Sequence, residues 1–295
     1  QWPGPPGAWP GQPGAWPPQG PWPPQGPWPT PDGGRRPDLG SVDLRPPVTM
    51  RDAWVWIVLA AAGFLVGQLL ASVLEVLWAL LSGHGAHLDR YLTSSPVPTG
   101  LLLVGEVGLW LGFLAAAWSA SHSRGTGSFG RDMGIRLRPW PDIPLGIVLG
   151  VASQYVIGLV YLPFILHNSH LRHELGAPAR NISGGSHGIG LVFLALVLLV
   201  GAPFCEEVLF RGTVLPSLRR LFGRFGEPAG AVGGILGSAV LFGFAHFEPL
   251  QFAGLALFGV VLAILANATK RLGPNMIAHA AFNGVALASY LATRH

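Results

Sequence analysis

The sequence predicts an all-α, polytopic transmembrane helix bundle of about seven spans, led by a disordered tail rich in proline, glycine and tryptophan. Three observations carry this. Half the residues are hydrophobic and only 11% are charged, where a soluble domain carries about 25%. Apolar runs near the roughly 20 residues needed to cross a hydrocarbon core recur along the chain. The opening stretch, "PGAWPGQPGAWPPQGPWPPQGPWPTPDGG", lacks the aliphatic residues that build a core.

That stretch sets residues 1–45 apart. Proline removes backbone donors and favours the polyproline II conformation, so an extended, disordered tail is expected on the cytoplasmic side. Its tryptophans suit the headgroup level and its prolines a partner's groove, while a solvated tail without either role is the simpler expectation. A charged n-region followed by an apolar h-region is missing at the start, so no signal peptide is expected there. Cys205, the single cysteine, allows no intrachain disulfide. No basic-aromatic pattern points to nucleic acid; the lipid bilayer is the expected surrounding.

The apolar segments fall at 53–81, 99–120, 143–166, 188–210, 229–247, 252–268 and 274–292. Residues 46–187 thus hold three spans with their loops, and 188–295 hold four. Glycine and proline recur within them, which membrane helices tolerate when neighbours satisfy the freed backbone groups. Basic residues then set the orientation. Arg35, Arg36, Arg45, Arg51, Arg124, Arg131, Arg136, Arg138, Arg219, Arg220, Arg224, Lys270 and Arg271 fall on one side, and only Arg90, Arg172, Arg180 and Arg294 on the other. The excess predicts a cytoplasmic N-terminus and an outside C-terminus. The segment "GRDMGIRLRPWPDIPLG" is expected along the cytoplasmic interface.

"CEEVLFRG", at the end of the fourth apolar run, carries the chemistry. A charge in a bilayer costs at least a few kcal/mol unless paired or wetted, so such residues are candidates for function. Arg211 follows Glu207 by four residues, the favourable order for a pair on one helix face. Glu206 points about 100° away from Glu207. Left unpaired, Glu206 is free to serve as a general base or acid; the bland alternative is a structural pair with a wetted Glu206 beside it. His246 closes the fifth span in "LFGFAHF", while His279 and Asn283 share a face of the seventh in "IAHAAFN". Together they can polarise a peptide carbonyl, steady its oxyanion, or bind a metal with Glu206.

Three ordered motifs carry a resemblance. "EEVLFRG" resembles EExxxR, "FGFAH" resembles FxxxH and "HAAFN" resembles HxxxN of the CAAX protease and bacteriocin-processing family, intramembrane proteases related to the type II CAAX prenyl endopeptidase. The likeness covers about residues 188–292. It implies that Glu206 activates the attacking water, and that His246, His279 and Asn283 complete the site and stabilise the transition state. Glu207 and Arg211 match the accessory pair, with Phe242 as the aromatic of the second motif. The family has been described both as metalloprotease and as metal-free. Glu206, His246 and His279 are the ligands if Zn²⁺ is used, but neutral Asn283 is a poor ligand and thiolates are missing. The residue types therefore lean towards glutamate-activated water. The implied substrate is a peptide or membrane protein, with C-terminal prenylation as one option.

Other protease chemistries fit less well. HExxH, GxGD and YD are absent, Ser186 and His187 lie in a loop without a nucleophile elbow, and a Cys205 thiolate has no cation beside it to favour it. A catalytically silent scaffold remains the main alternative, and a proton- or ion-coupled transporter the lesser one. Depth poses a problem. Glu206 falls near one end of its run and His246 near the opposite end of the next. They meet only if the fourth helix bends at Pro203 and continues through "GTVLPSL", or if the fifth is short and tilted; the first is expected. Glu75 and Glu106 also lie in apolar spans and have no assigned role.

Overall fold

The computed structural model describes Pro47 and residues 49–293, which lie in one compact unit; the predicted disordered tail falls outside them. Among the described residues there are helices and no strands. The principal helices are α1 (Met50–Leu81), α2 (Thr99–Arg124), α3 (Pro139–His167), α4 (Ser169–Gly184), α5 (Ile189–Phe225), α6 (Glu227–Ala245), α7 (Phe252–Thr269) and α8 (Gly273–Ala292).

Local signals explain where they begin. Thr49 caps α1 in a reciprocal box, its side chain accepting from the Asp52 N–H while the Asp52 carboxylate accepts from the Thr49 N–H, which satisfies two of the end's orphan donors. Proline stands in the first turn of α3, α6 and α8, where its missing N–H has no helical partner to lose. The α4 helix falls in a stretch read as loop. Its Asn168 side chain accepts from the Leu171 N–H at 3.2 Å, and its low hydropathy and internal Pro178 hid it from a search for apolar runs.

Six helices, α1–α3 and α5–α7, are long and apolar enough to cross a membrane. The seventh expected span is also a helix, α8, 20 residues long. It falls short of the other six in hydropathy because Asn275, His279 and Asn283 lie along it. Large apolar side chains such as Leu65, Val148, Tyr155 and Leu159 on α1 and α3 are exposed. On a membrane protein that is the surface lipid covers.

The fourth span differs most from its predicted bounds. It continues as one helical stretch from Ile189 to Phe225, 37 residues, so Glu206 stands in its middle and the depth problem disappears in the expected way. Two π-helical segments interrupt it, Val197–Gly201 and Val208–Val214. Each ends two residues before a proline, Pro203 and Pro216. Proline lacks a donor and its ring crowds the carbonyl four residues back, and a wider turn absorbs both. The irregularity expected at Pro203 thus takes the form of a π turn beside it.

The α1 and α2 helices pack through glycine. A Cβ at Gly112 would lie 2.6 Å from the Gly67 nitrogen and collide with the Gly63 carbonyl, and one at Gly67 would lie 2.7 Å from the Leu109 carbonyl oxygen. Small residues permit this approach in membrane interfaces. Gly112→Val should therefore destabilise the bundle by about 1–3 kcal/mol, read as a lower thermal midpoint in detergent. An unchanged midpoint would show that the two helices separate without cost. The α3 helix packs on α8 and α6 on α7, while α8 also packs on the first π segment of α5. At one end of the bundle Arg271 donates to Asp142 on α3, and Arg219 on α5 to Glu227 and Asn267. These contacts tie neighbouring helices where the basic residues gather.

Candidate active site

The centre of the bundle is apolar, formed by Phe113, Leu209, Phe210, Phe242, Phe258 and Leu262. One ion pair is sealed within it. Glu207 and Arg211 both have fully buried side chains, and Arg211 Nη1 donates to Glu207 Oε1 at 3.0 Å. This is the pair expected from their spacing. Arg211 also donates to the Gly259 carbonyl on α7 at 3.3 Å, and its guanidinium carbon lies 4.3 Å from the Phe242 ring centre. In such surroundings an ionised group needs its partners.

Glu207 has further ones. His279 Nδ1 lies 3.0 Å from its Oε1, and Asn275 Nδ2 donates to its Oε2 at 3.3 Å. Asn275 also donates to the Leu262 carbonyl at 2.7 Å and is wholly buried. It was not singled out from the sequence, although a signal existed. Asn275, His279 and Asn283 recur at four-residue steps, a polar stripe on one face of α8.

Glu206 differs in every respect. Its Oε2 is buried with no hydrogen-bond partner, and it lies 3.9 Å from Nε2 of both His246 and His279. Both imidazoles are oriented from behind. His246 stands at the C-cap of α6, where Phe247 turns into the left-handed region at φ 52° and stops the helix. Its Nδ1 lies 2.8 Å from the Phe242 carbonyl, which can only accept, so Nδ1 carries the proton. The Glu207 carboxylate fixes His279 in the same way. Each Nε2 is thereby turned to Glu206. Phe242 packs edge-on against both rings, with centroids 4.7 and 5.8 Å away. The side chains are 30% exposed for His246, 16% for Glu206 and 4% for His279, so the cluster opens on the His246 side.

One expected member stands apart from this cluster. Asn283 Nδ2 donates to the Leu198 carbonyl at 2.9 Å, not to a group of the cluster. Cys205 is buried next to Glu206. Glu106 on α2 lies within electrostatic reach of both Glu206 and, on α1, Glu75. An apolar groove of about 310 Å³ between α2 and the first π segment, lined by Leu103, Val107, Trp110 and Val200 among others, lies beside this region and holds none of the polar cluster.

The cluster's spacing can be set against that of a zinc site. Ligands at about 2.0–2.1 Å in a tetrahedron stand roughly 3.4 Å from one another. The Glu206 oxygen is 3.9 Å from each histidine nitrogen, and no three His, Cys, Asp or Glu among the described residues are arranged to hold a metal. A water molecule, with hydrogen bonds near 2.8 Å, suits the wider gap.

Residues 188–285 match the family model described as type II CAAX prenyl endopeptidase Rce1-like. The match spans all three motifs. No curated protein and no solved structure matches the chain.

Proposed function

We propose that this multi-pass membrane protein, which carries a domain of the type II CAAX prenyl endopeptidase family over residues 188–285, is an intramembrane endopeptidase using water activated by Glu206. The observation that carries the reading is the Glu206 carboxylate oxygen, buried without a hydrogen-bond partner and equidistant from two oriented imidazoles. Water placed among these three groups gives a proton to Glu206 as its oxygen attacks the peptide carbonyl. Glu206 then returns the proton to the leaving amine. His279, backed by the Glu207 carboxylate, is the better placed of the two imidazoles to carry a second proton and to steady the oxyanion through Nε2. His246, at the open side, holds the water. Asn283 serves the site indirectly, through its hydrogen bond to the Leu198 carbonyl on the helix that carries Glu206. We place the N-terminus in the cytoplasm, because the basic loops gather at that end.

The substrate is proposed as a peptide or membrane-protein segment, with a prenylated C-terminus as one candidate. The experiment is cleavage in lipid nanodiscs of a pool of prenylated and plain membrane peptides, read by mass spectrometry with and without chelator. Products that persist in chelator are expected. Products that vanish with chelator would replace activation by glutamate alone with activation by metal, and a wild-type protein that cuts nothing in a pool of this breadth would favour the scaffold.

A further inference from the structure

We propose that Asn283 is a positioning residue whose amide replaces the backbone donor that Pro203 removes, and so holds the turn that presents Glu206. In the first π segment of α5 the Ala202 N–H donates to the Val197 carbonyl, five residues back. Continued by one residue, that pattern pairs the Leu198 carbonyl with the N–H of residue 203. Residue 203 is proline and has none. In the middle of a membrane bundle water is scarce, and an orphaned carbonyl must find a protein donor. Asn283 Nδ2 supplies it, at 2.9 Å.

The contact has mechanical meaning because of where it falls. Asn283 lies one helical turn beyond His279 on α8, and His279 is hydrogen-bonded to Glu207 at 3.0 Å. The α8 helix thus grips α5 on both sides of Pro203, at Leu198 before it and at Glu207 after it. Glu206 lies between the two grips and makes no hydrogen bond of its own through Oε2. Its direction is therefore set by the backbone, and the backbone by the grips. With the Leu198 grip released, the π turn is free to shift and to swing Glu206 away from the two Nε2 atoms. The proposal rests on Glu206 being the base but assigns Asn283 no contact with the reacting peptide.

Cys205, the single cysteine and 4% exposed, is a built-in reporter one residue from Glu206. Asn283→Ala, Pro203→Ala and the double variant would be placed in nanodiscs, and the rate of Cys205 labelling by N-ethylmaleimide measured beside peptide cleavage. Asn283→Ala should label about tenfold faster and lose about tenfold in kcat with KM little changed. Pro203→Ala should resemble wild type. The double variant should return most of the way in both readouts, because an alanine in place of Pro203 brings back the N–H that the Leu198 carbonyl lacks. An amide acting on substrate could not be rescued by a change at residue 203, so a double variant as impaired as Asn283→Ala overturns the proposal. If Asn283→Ala does not fold, recovery of folded protein in the double variant supports it, and failure of both overturns it. A wild-type protein that cleaves no peptide would end the protease reading, while the labelling rates would still decide the role of Asn283.

Discussion

Glu206→Gln is expected to fold as the wild type does and to cleave peptide about 10²- to 10⁴-fold more slowly. The retained fold follows from the absence of a hydrogen-bond partner at Oε2. Exchanging that oxygen for an amide breaks no network, and glutamine has the same shape. The lost rate follows from the one property the exchange removes, a carboxylate able to take a proton from water. Thermal midpoint and cleavage rate measured on one preparation separate the two effects. Cleavage within about fivefold of wild type would remove Glu206 from the chemistry and leave the histidines without a base.

Arg211→Met should have the opposite profile. It leaves Glu207 ionised in a site where its side chain has no exposure, with His279 and Asn275 as remaining partners. Breaking a buried pair by removing one member typically costs about 3–5 kcal/mol, a large share of the stability of most domains. Little folded protein is expected, or a much lower thermal midpoint. Adding Glu207→Gln should recover most of that loss, since a neutral amide needs no counter-charge and can still accept from His279 Nδ1. Cleavage should stay impaired, because the amide does not offset charge on His279. Full stability of Arg211→Met alone would show that the pair is not what holds α5 against α7.

The ingredients of the site were legible because they obey helical spacing. Glu207 and Arg211, Phe242 and His246, His279 and Asn283 are each four residues apart, and each shares a face in the structure. The different surroundings of the two glutamates were legible for the same reason, since adjacent positions point apart. What spacing could not give was depth. The length of α5 depends on two π turns that absorb Pro203 and Pro216, and a prolonged helix through prolines contradicts local propensity. Tertiary packing overrides it here. Asn275 was missed for a different reason. It stands in the first turn of α8 behind a proline, where an asparagine reads as part of a helix start, and only the buried Glu207 opposite gives it a role. The α4 helix was missed because it is too polar to stand out among apolar runs.

The polar stripe of α8 also bears on how the protein enters the membrane. A segment with asparagine at positions 275 and 283 and histidine at 279 gains less from partition into lipid than α1–α3 or α5–α7, the six helices apolar enough to cross on their own. Alone in hydrocarbon it would present unpaired amides and an imidazole to acyl chains, which is costly. Against α5 and α7 those groups meet Glu207, the Leu198 carbonyl and the Leu262 carbonyl. The partners on α5 and α7 thus lower the cost of placing α8 in the bilayer. A chain whose other helices had misassembled would offer α8 no such partners.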